Sequence, residues 1–120
     1  MKTVSLRQKR IARLLQEALG PLLLRELGGV TKSLVTVTAV EVPADLRSAR
    51  VFLSVYGPDD PGTVLDHLGH RLGPLRRDLA STLKLKYNPQ LIFALDPSAD
   101  MAERIERRLQ SVRTHEHDPS

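Results

Sequence analysis

The 120-residue sequence contains no Cys and no Trp. Without thiols it has no disulfide framework, no thiolate zinc site and no Cys nucleophile, and it suits a reducing compartment; the chain is expected in the cytoplasm. Aromatic residues are confined to Phe52, Tyr56, Tyr87 and Phe93. Sheet platforms that stack several unpaired bases need clustered aromatics. Any nucleic acid bound by this chain would therefore be held mainly through backbone charge and shape. No apolar run approaches the ~20 residues of a membrane span, so no membrane is expected as partner. Residues Met1 to Arg7 lack the apolar core of a secretory leader. There is no Gly-rich phosphate loop, no GxSxG and no HExxH, so the sequence predicts neither an enzyme nor a bound cofactor. Asp45 is a lone carboxylate at a turn, where Asp commonly bonds its own backbone. His67 and His70 share a helix, but no Cys or paired carboxylate completes a metal set, so they read as surface histidines and no metal is expected. His115 and His117 are weaker candidates still.

What is present is enough for one domain. The hydrophobic fraction is 41%, and at this length folding removes roughly two-thirds of the chain's surface from water. Residues 1–112 are expected to form that domain and 113–120 a frayed polar tail. Ser5 and Gln8 fit a capping box at the start of a helix over 5–25. Ile11, Leu14, Leu15, Ala18, Leu19 and Leu22 recur at helical spacing along it. Gly20-Pro21 should kink or break that helix, because proline lacks an amide donor and clashes with the preceding turn; Gly28-Gly29 should end it. Residues 33–42 are rich in β-branched side chains and read as a strand. Pro43-Ala44-Asp45 is a turn. In the second strand, 48–56, Ala49, Val51, Leu53 and Val55 alternate with Arg50, Phe52, Ser54 and Tyr56, and the two strands should pair antiparallel. Asp60-Pro61 opens a helix whose stripe is Val64, Leu65, Leu68 and Leu72. A sharp joint is expected at Gly73, with Pro74 beginning the next helix, which carries Leu75, Leu79 and Leu83 to about Leu85. A third strand follows over 90–95. Asp96-Pro97-Ser98 opens a final helix bearing Met101, Ile105 and Leu109.

The order predicts an α+β fold with three strands buried on one face. Helix, strand, strand, helix, joint, helix, strand is the order of a type II KH domain, which clamps nucleic-acid backbone at a GXXG loop between its helices. No GXXG occurs here; Gly69-His70-Arg71-Leu72-Gly73 is one residue too long. Three stretches nonetheless resemble the ribosome-binding factor A family over about residues 5–112. They are Arg7-Gln8-Lys9-Arg10-Ile11, then Val40 to Val51 with its Asp45-Leu46 and Ala49-Arg50-Val51, and finally Leu72 to Ala80 followed by Leu83 to Phe93 and Asp96. The resemblance implies a KH-like domain in which an Ala-x-Gly kink replaces GXXG. It also implies binding to the small ribosomal subunit, contact with its rRNA near the decoding region, a role in late maturation and rRNA end processing, and a link to growth in the cold. Here the kink reads Arg71-Leu72-Gly73, with Arg where the family has Ala.

Lys and Arg number 18 against 14 acidic residues, a net charge of +4, and their distribution says more than the total. Arg71, Arg76, Arg77, Lys84 and Lys86 face only Asp78 within their segment. From Lys2 through Arg25, the cations Arg7, Lys9, Arg10 and Arg13 recur against Glu17 alone. Asp59 to Asp66 is purely acidic. Arginine's planar fork suits phosphate oxygens. At ~100° per residue Gly73, Arg77, Ala80, Ser81 and Lys84 share one helix side, where small residues would let an RNA backbone approach. The plainer alternative is that Gly73 only ends a helix and the cations are a solvated face. The RNA-contact candidates are thus Arg7, Lys9, Arg10, Arg13, Arg71, Gly73, Arg76, Arg77, Lys84 and Lys86. They suggest a monomeric binding protein that grips the rRNA of the small (30S) ribosomal subunit by its phosphates. A general KH-type single-strand binder and a protein-interaction adaptor are the alternatives.

Overall fold

The computed structural model describes residues 4–86 and 88–98. Pro97 and Ser98 are helical, as expected at the opening of the final helix; its remainder, the boundary at 112 and the tail expected from the sequence lie outside these residues.

Ser5 and Gln8 start the first helix as their types predict. The Gln8 amide donates to Ser5 Oγ at 3.1 Å and the Ser5 amide donates to Gln8 Oε1 at 2.9 Å, which satisfies two otherwise orphaned donors. The helix, α1, spans Leu6–Leu27 and buries Leu15, Leu19, Leu22, Leu23 and Leu27. Leu14, expected in this stripe, is 37% exposed instead. The break expected at Gly20-Pro21 does not occur, and Pro21 lies inside the helix. Pro21 is exposed, so the carbonyl it leaves unpaired faces water, while the buried leucines on either side hold the helical path.

Strands β1 (Leu34–Glu41), β2 (Ser48–Tyr56) and β3 (Gln90–Leu95) form one sheet in the order β1-β2-β3. β1 runs antiparallel and β3 parallel to the central β2. Ala49, Val51, Leu53 and Val55 are buried, as the alternation predicts. Val35 and Val37 lie opposite Val55 and Leu53, but Val40 lies opposite Val51, because the register shifts between Val37 and Ala39. This bulge places one extra residue, Thr38, and so returns Val40 to the apolar face. Thr38 Oγ1 donates to Asp96 at 2.6 Å, tying β1 to the end of β3.

Helix α2 spans Pro61–Gly69 and is capped by Asp60, which accepts from the Gly62 amide at 3.1 Å. Helix α3 spans Leu72–Thr82. The joint is therefore at His70-Arg71 rather than Gly73, and Gly73 and Pro74 fall within the first turn of α3. A proline is tolerated there because first-turn amides have no intrahelical acceptor. α3 also ends earlier than expected, with Leu83 already extended. α1 packs on β1 and α3, and α2 and α3 pack on β3. The three helices thus cover one face of the sheet, over a core that includes the fully buried Leu15, Leu19, Leu53, Leu68, Leu75 and Leu79.

A polar knot ties the loop before β1 to the loop after β2. The Asp59 carboxylate accepts from the Thr31 and Ser33 hydroxyls and from the Lys32 amide. Gly57 beside it has φ +145°, and a Cβ there would lie 2.6 Å from Ser33 Oγ, so only glycine fits. The hydroxyl donors lower the Asp59 pKa from 3.8 to about 2. A carboxylate with a depressed folded pKa adds stability at higher pH and loses it as pH falls through the folded value. Wild-type protein should therefore lose more thermal stability than Asp59→Asn between pH 4 and about 2; melting curves at stepped pH check this, and parallel curves would disprove it.

Candidate nucleic-acid interface

The packing of α1 against α3 sets where the cations meet. The first turn of α1 and the segment after α3 come together: Arg7 and Lys86 line one small recess floored by Ile11, Leu46, Leu85 and Pro89. Arg10 is exposed nearby on α1. Arg13 is exposed too and donates to Glu17 at 3.1 Å, with side chains 83% and 62% exposed. Such a pair contributes at most about 1 kcal/mol, so the guanidinium is free to exchange its partner for a phosphate.

Lys9 departs from this group. Two residues from Arg7, it points to another side of the helix. It lines a groove of about 600 Å³ along the β1 edge with Val4, Ala12, Val42, Arg50 and Ile92. Gln8 and Gln16 pin that edge by donating to the Val42 and Val37 carbonyls at 2.9 and 3.3 Å. Arg50 was not singled out from the sequence; its alternation with the buried residues of β2 was the available signal.

On α3, Gly73, Arg77, Ala80 and Ser81 are exposed, opposite the buried Leu75 and Leu79. A Cβ at Gly73 would meet nothing within 4 Å, so the surface there is open. Lys84 lies beyond the C-cap Leu83, so helical spacing does not set its direction. It is exposed in the stretch that leads to Lys86. Arg7 and Lys86 thus share one recess, while Gly73 and Arg77 lie on the exposed side of α3 and Lys84 in the exposed stretch after it.

Two arginines are engaged by other groups of the chain, Arg71 with its side chain still 46% exposed. Arg76, half-buried, donates from Nε to the Pro89 carbonyl at 3.1 Å and from Nη2 to the Asn88 carbonyl at 2.9 Å. Asn88 returns a bond to the Arg76 carbonyl at 3.1 Å. Arg71 donates from Nε to Glu26 at 2.7 Å. His67, expected at the surface, has a side chain only 30% exposed and its Nε2 sits 3.3 Å from the same Glu26 oxygen. Glu26 was also missed, because the helix was expected to end at Arg25. Among the described residues no group of His, Asp and Glu could hold a metal.

Residues 7–109 match the family model of ribosome-binding factor A. The chain belongs to this family. The ribosome-binding factor A of Thermomicrobium roseum is 37% identical over 109 residues, 90% of this chain and 84% of that protein. The crystal structure of ribosome-binding factor A from Thermus thermophilus aligns with a TM-score of 0.60 at 21% identity, covering 73% of this chain and 94% of that one. A homology model of the Thermus thermophilus factor, fitted into a cryo-EM map of its 30S complex, aligns at 0.55 with 23% identity, over 71% and 94% of the two chains. The fold is thus the α+β, KH-like fold of ribosome-binding factor A, and the family is one of binding factors rather than enzymes.

Neighbouring arginines in α3 should behave differently. Arg76→Ala removes charge-assisted bonds to the β3 entry and should cost about 1–3 kcal/mol, whereas Arg77→Ala should stay within about 0.5 kcal/mol of wild type. Urea unfolding checks the contrast; equal losses would sink it.

Proposed function

We propose that this chain binds the small ribosomal subunit through its 16S rRNA and supports late maturation, including rRNA end processing carried out by other enzymes. The carrying observation is the set of exposed cations on α3 (Arg77), after it (Lys84, Lys86) and on the first turn of α1 (Arg7, which meets Lys86), on a chain of this family. Its cations suit phosphate oxygens, which position a protein on RNA without reading sequence. The thin aromatic content is consistent with structured RNA held by shape rather than splayed bases. The factor would favour one rRNA arrangement by binding it more tightly than its competitor, since a ligand shifts an equilibrium only by that difference. Its work would then lie in the cytoplasm.

Two measurements test this reading. Arg77→Glu with Lys84→Glu should weaken co-sedimentation with purified small subunits by about tenfold or more while the melting temperature holds. Log affinity of the wild type should fall with log salt at about −0.7 to −0.9 per phosphate contacted, and less steeply for the variant. Unchanged binding by the variant removes the patch. Equal affinity for an unstructured oligonucleotide means a general single-strand binder instead.

Gly73→Ala separates folding from contact. Its Cβ space is empty and its φ is not left-handed, so stability should hold or rise by about 0.5–1 kcal/mol. Subunit affinity should nonetheless fall, because the methyl group stands where the RNA backbone would approach. Undiminished affinity would show that Gly73 makes no close contact.

A further inference from the structure

We propose that Glu26 is a positioning residue that staples the α2–α3 joint to α1 through Arg71, beside His67, and so sets where the cations of α3 stand for RNA; this rests on the RNA-binding reading above. Glu26 sits in the last turn of α1, where a negative charge opposes the helix dipole. Its side chain is only 17% exposed. A carboxylate so placed is costly without partners; Arg71 donates a hydrogen bond to it, and His67 Nε2 stands close without making one. Arg71 Nε lies 2.7 Å and His67 Nε2 3.3 Å from the same oxygen, Oε1. His67 belongs to α2 and Arg71 is the N-cap of α3. One carboxylate from α1 therefore touches both sides of the joint and holds the α3 side through Arg71.

Backbone bonds close the joint on itself, as from the Arg71 amide to the Leu68 carbonyl at 3.0 Å, but among the described residues none of them reaches α1. Arg71 makes no side-chain capping bond. Among the described residues only Leu46, Gly29 and Gly57 have positive φ, and none is at the joint. The direction of α3 relative to α1 is left to packing and to this ionic contact. Arg71 reaches toward α1, whereas Gly73 and Arg77 look outward from α3. Arg71 thus acts through geometry: it fixes how far the Arg77 side of α3 stands from Arg7 and Lys86.

The experiment measures small-subunit affinity at several salt concentrations for wild type, Glu26→Gln, Arg71→Ala and the charge swap Glu26→Arg with Arg71→Glu. Amide hydrogen exchange at His70 to Leu72 is followed in parallel. Each single variant should bind about fivefold more weakly at low salt, the reach of roughly 1 kcal/mol, with a salt slope lowered by well under the ~0.7 of a lost phosphate contact and faster exchange at the joint. The swap should restore affinity and slow exchange. A slope reduced by about 0.7–0.9 in Arg71→Ala, unrescued by the swap, would make Arg71 a direct phosphate contact and overturn the proposal. Single variants that bind and exchange like wild type would also overturn it. A wild type that ignores subunits overturns the functional reading itself, and shows before any variant is made. If Arg71→Ala fails to fold, the isosteric Glu26→Gln and the swap decide the matter.

Discussion

Ala49, Val51, Leu53 and Val55 are each at most 3% exposed, and their burial constrains everything around them. They lie on the central strand, so both neighbouring strands must turn their own apolar residues to the same side. β3 does so directly: Leu91, Phe93 and Leu95 stand beside Ala49, Val51 and Leu53. β1 can do so only by spending one residue, Thr38, on a bulge, because its valines change parity between Val37 and Val40. The leucines of α1, α2 and α3 then close the layer from above. Breaking the alternation on β2 would expose one side of all three strands together.

That closed face leaves the outward sides of α1 and α3 for charge. The split between the adjacent Arg76 and Arg77 shows how narrow the margin is. They differ by about 100° around α3, and this turns one guanidinium toward the chain entering β3 and the other toward water. Both are cations of one type in one basic segment. Only the placement of Asn88 and Pro89 decides which is scaffold and which is surface.

The sequence made some of this plain for physical reasons. The bounds of β2 were readable because strict alternation is itself the signature of a strand with one buried face. Ser5 and Gln8 marked α1 because capping is a local interaction over three residues. Pro21 misled because a proline's cost depends on whether its turn is exposed, which sequence alone does not reveal; Pro74 was rightly read as lying at a helix start, two residues inside it. Lys84 was misplaced with the early end of α3. In the candidate site the residue types were legible but their partners were not. Arg71 and Glu26 are 45 residues apart, and no periodicity joins them. The weak hint was an acid in the final turn of a helix, where electrostatics disfavours it.

A KH domain with GXXG builds its helix joint on glycines. This chain passes the joint with His70 and Arg71, keeps ordinary backbone angles there, and places Gly73 inside α3. The helix-to-helix angle is consequently held by side chains rather than stored in rare backbone conformations. Side-chain contacts of this kind are adjustable: ion pairs weaken with salt and with loss of either partner. A glycine-built turn has no such dependence. The same substitution that puts Arg where the family resemblance expects Ala therefore does more than add a cation. It transfers control of the joint to a carboxylate on another helix, and couples the basic side of α3 to the far end of α1.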